Sequence, residues 1–340
     1  MKQKTVLLVF GGESSEHEVS ILSARNVYAA ISNSTFEVIL VYIDKRGIWW
    51  LLDQMTEKIT THGALQLLPV LGSGHFVTLP SGRVITPDII LPILHGKNGE
   101  DGSVQGLAQL LHIPIVGCDM TASSLCMDKI ATKEVLEANK IVVVPYETHR
   151  RGTTVPDFKQ LSHRLGSPLF VKPARAGSSV GVSKINSSSE LIRALDLAHR
   201  HDDMVLIEMA VVGRELEVAM LGNPPNQKAS AVGEIKPGDE FYNYDAKYAN
   251  NSKSQTIIPA ELDVITANYI RQQASTVYEL LGCKGLARVD FFLADDGALY
   301  VNEVNTLPGF TNISMYPKLW QARGLSYPQL IERLISLAQK

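Results

Sequence analysis

The sequence predicts an α/β protein of three domains, and three observations support that expectation. Residues 1 to about 128 alternate apolar strand-like runs with helical patterns, which is how a parallel sheet with helices on both faces reads. From Met127-Asp128-Lys129 the chain changes to shorter strands broken by a small glycine-containing turn. From about Gly213 it carries further strands, among them a hairpin, and closes on a helix. The expected domains are 1–128, 129–212 and 213–340, and 340 residues leave ample core for them.

Thr5 to Phe10 is a buried-strand run, Gly11-Gly12 turns the chain, and Glu16 to Ala30 is patterned as a helix. Phe36 to Ile43 and Ile89 to Leu94 are further strands, the latter ending at His95-Gly96. In such sheets ligands sit beyond the C-terminal strand ends, where both glycine turns fall. In the second region a helix over Lys129 to Ala138 leads to an expected strand at Ile141 to Val144, stopped by Pro145. Pro168 to Pro173, Val180 to Ile185 and Met204 to Glu208 read as strands, and Glu190 to Arg200 as a helix. The third region adds helices at Leu262 to Leu281 and Tyr327 to Ala338. Lys236 to Gln255 is polar, aromatic-rich and non-periodic, so it reads as a long loop, and such loops are usually lids or binding loops.

Composition narrows the function. The 45% apolar and 20% charged content is that of an ordinary globular enzyme. A net charge of −3 and a pI near 6.3 argue against non-specific nucleic-acid binding. Cys118, Cys126 and Cys283 form no CxxC pattern, so neither a disulfide framework nor a structural zinc site is expected. The apolar run after the basic start, Val6 to Phe10, is too short for a signal peptide, and no stretch approaches a spanning helix. The expected home is the cytoplasm. Neither GxGxxG after the first strand nor GxxxxGK[ST] is present, which counts against dinucleotide and P-loop sites.

The chemistry concentrates in residues 285–314. Leu286 to Leu293 and Ala298 to Val304 read as a hairpin around an Ala-Asp-Asp-Gly turn. Side chains two apart share a face, which pairs Arg288 with Asp290 and Glu303 with Asn305. In register, three oxygen donors and one guanidinium converge, as a magnesium–phosphate site needs. A plain ion pair beside a surface Glu–Asn pair is the alternative, but it leaves the following Asn-Thr-Leu-Pro-Gly turn unexplained. Upstream, Arg175 to Gly181 can present backbone N–H groups and two hydroxyls to a phosphate, although most Gly-Ser turns merely connect strands. Lys172 just before it is a candidate phosphate contact, and Lys129 is a second candidate or a solvated surface lysine. Glu208 with the apolar residues after it suits a purine pocket, or is a strand-end carboxylate. Gly12 to Glu18 opens a helix whose acids fit plain capping, or a zwitterion received at Glu16.

Seven segments occur in one order: GGESSEHEVS (11–20), LHGKNGEDGSVQG (94–106), CMDK (126–129), VKPARAGSSVGV (171–182), FYNYDAKY (241–248), ARVDFF (287–292) and NEVNTLPGFTNIS (302–314). Together they resemble the D-alanine–D-alanine ligases of the ATP-grasp superfamily over nearly the whole chain. The resemblance implies a Rossmann-like N-terminal domain followed by two ATP-grasp subdomains that sandwich ATP beneath a glycine-rich flap. It implies phosphate contacts from Lys129, Lys172 and Lys247 with Ser179 in the flap, and adenosine contacts from Glu208, Met209, Val211 and Glu215. Asp290, Glu303 and Asn305 match ligands of two Mg²⁺ ions, for which Mn²⁺ substitutes.

Arg288 and the Gly309 N–H match the groups steadying the transferring phosphate and the oxyanion. Glu16 matches the carboxylate receiving the first D-alanine's ammonium, linked through Ser178 and Tyr248 to the lid. His95 falls near the first substrate, and Ser314 with Met315 at the second substrate's carboxylate, where many relatives have Leu at the second position. A homodimer and stimulation by K⁺ are also implied. The intact Tyr-containing lid sequence 242–248 favours a dipeptide over a depsipeptide product. D-serine or D-lactate as second substrate, and a non-catalytic nucleotide-binding regulator, are the alternatives.

Overall fold

The computed structural model describes residues 3–31, 36–236, 238 and 255–339. Strand β1 (Lys4–Gly11) lies between β2 (Phe36–Ile43) and β7 (Ile89–Ile93), parallel to both, and is buried from Thr5 onward. Covered on both faces, it reads as an unbroken apolar run. Beyond β2 the sheet continues through antiparallel β3 (Trp49–Leu52), β4 (Leu65–Val70), β5 (His75–Leu79) and β6 (Val84–Ile85). The order is β6-β5-β4-β3-β2-β1-β7. The sheet expected to be parallel is therefore mixed. Residues 44–88 contain no helix, and without a crossover of a dozen or more residues successive strands can only fold back on each other.

Helix α1 (His17–Ile31) follows the Gly11-Gly12 turn, where φ is +93° and +98°. A Cβ on Gly11 would lie 2.2 Å from the Ile43 carbonyl oxygen, so the turn requires glycine for its conformation and for close approach. Helices α2 (Ser103–Leu111) and α3 (Met120–Met127) lead to α4 (Lys129–Ala138). Asp128 caps α4, its carboxylate accepting the Ile130 and Ala131 N–H groups at 3.0 and 3.1 Å.

A second sheet, antiparallel throughout, runs β10 (Ser183–Ile185), β9 (Leu169–Pro173), β11 (Met204–Met209), β8 (Tyr146–Arg150). Helices α5 (Phe158–Leu165) and α6 (Ser188–Ala198) share a buried cluster with it. The strand expected at Ile141–Val144 is displaced to Tyr146–Arg150. The apolar run instead bridges to the third sheet, where Val142 O accepts the Val301 N–H at 3.0 Å. Pro145 has no N–H to give a ladder, so the strand begins after it.

The third sheet is ordered β14 (Gln255–Ile257), β13 (Lys228–Lys236), β12 (Gly213–Leu221), β15 (Leu286–Ala294), β16 (Leu299–Asn305). Ile270, Ala274, Val277 and Tyr278 of α7 (Val264–Leu280) are buried against it. Two last helices follow, α8 (Met315–Gln321) and α9 (Tyr327–Leu337). Leu330, Ile331, Leu334 and Ile335 of α9 share one core cluster with Ile21, Ala24, Val27 and Ile31 of α1, so the end of the chain closes over its beginning. All three cysteines are free and buried. Among the described residues no helix is long and apolar enough to cross a membrane.

Candidate active site

The β15–β16 register sets Arg288 opposite Asn305 and Asp290 opposite Glu303. Glu217 on β12 lies opposite Asp290 from the other side. Directly opposed residues share a face, so five polar side chains form one patch. Arg288 donates from Nε to Asp290 Oδ1 at 2.7 Å and from Nη2 to Oδ2 at 2.6 Å. Its Nε is also 3.1 Å from Glu217 Oε2. Burial works against the guanidinium charge, but Asp290 and Glu217 outweigh it and raise its pKa well above the ordinary value. Asp290, Glu303 and Asn305 supply side-chain oxygens on this patch, the donor type a hard divalent cation takes, with both Asp290 oxygens held by Arg288 and the Asn305 Oδ1 accepting the Leu307 N–H at 3.0 Å.

Facing the patch is a cavity of about 440 Å³. Of the predicted residues it is lined by Glu16, His95, Lys129, Ser178, Arg288, Glu303, Asn305, Gly309, Ser314 and Met315. The walls come from all three regions of the chain. The Ser178 hydroxyl donates to Glu16. Lys129, placed at the first turn of α4 by the Asp128 cap, donates to Ala176 O at 2.8 Å and lies 3.6 Å from Glu303 Oε2. The Ser314 Oγ accepts the Thr311 N–H at 3.0 Å and is 2.8 Å from Thr311 Oγ1.

Besides Arg288, both His95 and Glu100 in the cavity are shifted. His95 Nδ1 donates to the Leu307 carbonyl at 3.0 Å, which leaves the lone pair on buried Nε2. Burial lowers its pKa against the opposing charge of Glu16. Glu100 accepts the Gly96 N–H at 2.9 Å, and burial followed by the nearby Glu16 pushes its carboxyl up to about 8.

Lys172, Ser179, Glu208, Met209, Val211, Glu215 and Asp290 do not line this cavity. Glu208, buried within β11, lies between two lysines: Lys172 Nζ is 2.5 Å from Oε2 and Lys133 Nζ is 3.0 Å from Oε1. Lys133 also donates to Val144 O at 3.0 Å. Burial raises the Glu208 pKa, but the two lysines more than offset it and hold the carboxyl below its ordinary value. Lys247 and Tyr248 lie outside the described residues, with most of the loop expected over 236–255.

Sequence reasoning missed Glu217, Glu100 and Lys133. Glu217 stands two residues from Glu215, on the same strand face, and period two would have named it. Lys133 is one helical turn after Lys129, the spacing that places two side chains together. Glu100 lies inside the 94–106 segment, where nothing local distinguishes it from a solvated acid.

The model of the D-ala D-ala ligase N-terminus matches residues 5–118, and that of the C-terminus residues 135–336. A D-alanine–D-alanine ligase of Sodalis glossinidius is 44% identical, covering 99% of this chain and 95% of its own length. The solved structure of the D-alanine-D-alanine ligase from Coxiella burnetii is similar at TM-score 0.90 and 35% identity, over 99% of this chain and 94% of that one. A D-Ala:D-Ser ligase structure from Enterococcus faecalis is similar at TM-score 0.90 and 36% identity, over 99% and 100%.

Proposed function

The chain belongs to the D-alanine–D-alanine ligase family, and from that membership we propose that it joins two D-alanines at the expense of ATP, supplying peptidoglycan synthesis. The observation that supports the reading best is the meeting of Glu16, Arg288, Glu303, Gly309 and Ser314, from distant parts of the chain, around one cavity.

A carboxylate is a poor electrophile, so the γ-phosphate of ATP passes to the first D-alanine and gives an acyl phosphate. Such transfer is mainly positioning and charge neutralisation. Lys129, Lys172 and Lys247 take the phosphates with flap residue Ser179, while Glu208, Met209, Val211 and Glu215 hold the adenosine side. Asp290, Glu303 and Asn305 would hold Mg²⁺ or Mn²⁺, which supplies charge neutralisation at the phosphates when bound. Glu16, tied to Ser178 and Tyr248, receives the first ammonium, beside His95. The second D-alanine places its carboxylate at Ser314 and Met315, and its free amine attacks the acyl phosphate. Arg288 and the Gly309 N–H stabilise the oxyanion before phosphate leaves, and a lost donor of this kind costs roughly 3–4 kcal/mol.

The chain division 1–128, 129–212 and 213–340 follows these roles as substrate, flap and lid-plus-metal domains. We further place the protein in the cytoplasm as a homodimer, with K⁺ stimulating activity. Incubation with ATP, Mg²⁺ and D-alanine should release phosphate and yield the dipeptide by mass spectrometry; folded protein giving neither would overturn the reading. The likeness to a D-Ala:D-Ser ligase gives D-serine standing as the acceptor, and competition among D-alanine, D-serine and D-lactate separates them.

A further inference from the structure

The flap, residues 175–181, meets one short turn at both of its ends. That turn, residues 199–203, joins α6 to β11 and lies outside the cavity. At the first end the Asp202 carboxylate accepts four N–H groups: the Arg175 amide at 2.9 Å, Arg175 Nε at 3.0 Å, Arg175 Nη2 at 2.7 Å and the Met204 amide at 3.0 Å. The Asp202 side chain is 3% exposed and that of Arg175 is 53% exposed. One residue earlier, the Ala174 N–H donates to Met204 O at 2.9 Å. At the far end Gly181 has φ +72°, and a Cβ there would lie 2.8 Å from His201 Cδ2 and 2.9 Å from Pro173 Cγ.

Between these ends the flap makes its cavity contacts, Ala176 O to Lys129 and Ser178 to Glu16. An ion pair this exposed on one side adds little stability by itself. Its geometry does something else. Three of the donors belong to Arg175, two of them in a rigid guanidinium fork, and they fix the position and direction in which the flap leaves β9, while the Met204 amide holds the carboxylate itself in place. Burial opposes the charge on Asp202, and the Arg175 and Met204 hydrogen bonds overcome it, so the carboxylate remains an acceptor.

We propose that Asp202 and Arg175 are positioning residues for the reaction: the 199–203 turn holds the flap so that Ala176 to Ser178 reach the cavity. This rests on the reading of the flap as the cover of ATP.

The test uses the full-length protein with Arg175→Ala, Arg175→Lys, Asp202→Asn and the double variant Arg175→Ala/Asp202→Asn. Amide hydrogen exchange over 176–180 should quicken about tenfold in each single variant, as for a locally loosened segment, while exchange elsewhere stays put. KM for ATP should rise about tenfold with a smaller loss in kcat, and the double variant should be no worse than either single, since residues acting as a unit are not additive. Arg175→Lys keeps the charge without the fork and should not rescue. Unchanged flap exchange, additive losses, or rescue by lysine would each overturn the proposal. Quickened exchange in a protein whose wild type makes no dipeptide would sink the ligase reading and leave the positioning of the flap standing.

Discussion

Arg288 grips Asp290 through two hydrogen bonds of 2.7 and 2.6 Å, and the same guanidinium lies 3.1 Å from Glu217. One half-buried cation thus stands between two buried carboxylates, and taking it away leaves them facing each other. Arg288→Met should lower stability by about 3–5 kcal/mol, the usual result of removing one partner of a buried ion pair. Arg288→Lys keeps the charge but loses the fork. It should fold with a modest loss of stability, while kcat falls on the order of a hundredfold because the planar donor pair is gone. Urea unfolding beside steady-state kinetics separates the effects, and a lysine variant with wild-type kcat would remove Arg288 from the chemistry.

Glu303 sits at the rim of the same patch, with a third of its side chain exposed, opposite Asp290 and 3.6 Å from Lys129 Nζ. Glu303→Gln changes no volume and should leave the unfolding midpoint nearly unmoved. Loss of a charged oxygen ligand should raise the Mg²⁺ concentration needed for half-maximal rate by about tenfold or more, with most activity lost at low Mg²⁺. A magnesium titration that overlays the wild type would disprove the metal assignment.

Glu100 gives a pH prediction. Its carboxyl is pushed from the ordinary 4.5 up to about 8, by burial first and by Glu16 second. An unfolded chain loses this proton near its ordinary value, whereas the folded protein keeps it until about 8. Unfolding between those values releases a proton, so the contribution is whole below the ordinary value and is lost as pH rises through about 8. Without substrates, Glu100→Gln should flatten the fall in stability between about pH 5 and about pH 8 and surpass the wild type at the upper end. Denaturation midpoints across that range decide it; parallel curves would assign the proton to another group.

The legible parts of this molecule were those in which a local pattern had a single physical outcome. The hairpin could be read because alternating apolar residues flank Asp-Asp-Gly, and two-residue spacing then forced Arg288, Asp290, Glu303 and Asn305 onto one face. Lys129 could be read as a helix start because Asp128 before it is a cap. The β3 to β6 meander and the strand at Tyr146 were harder. Short antiparallel strands carry weak periodicity, and the apolar run 141–144 had a partner in a different sheet. Contacts such as Lys133 with Glu208, or Asp202 with Arg175, depend on how sheets and turns are brought together, which spacing along the chain does not encode.

Gly309 supplies the sharpest test of where the second substrate binds. A Cβ built there would lie 2.8 Å from the Ser314 Oγ, below any normal contact. That hydroxyl already holds the turn through the Thr311 N–H at 3.0 Å, so Gly309→Ala must displace it or move the turn. The turn is also tied to the N-terminal part of the chain by His95 on Leu307 O and by Ser23, whose Oγ accepts the Phe310 N–H at 3.3 Å. It cannot shift cheaply as a whole, and the strain falls on Ser314. In the proposed reading Ser314 holds the acceptor's carboxylate while ATP binds away from this wall. KM for the second D-alanine should therefore rise about tenfold or more, the scale of a lost charge-assisted hydrogen bond, with KM for ATP nearly unchanged. Because the Gly309 N–H is also assigned to the oxyanion, kcat should fall as well. Equal increases in both KM values would move the acceptor site away from Ser314.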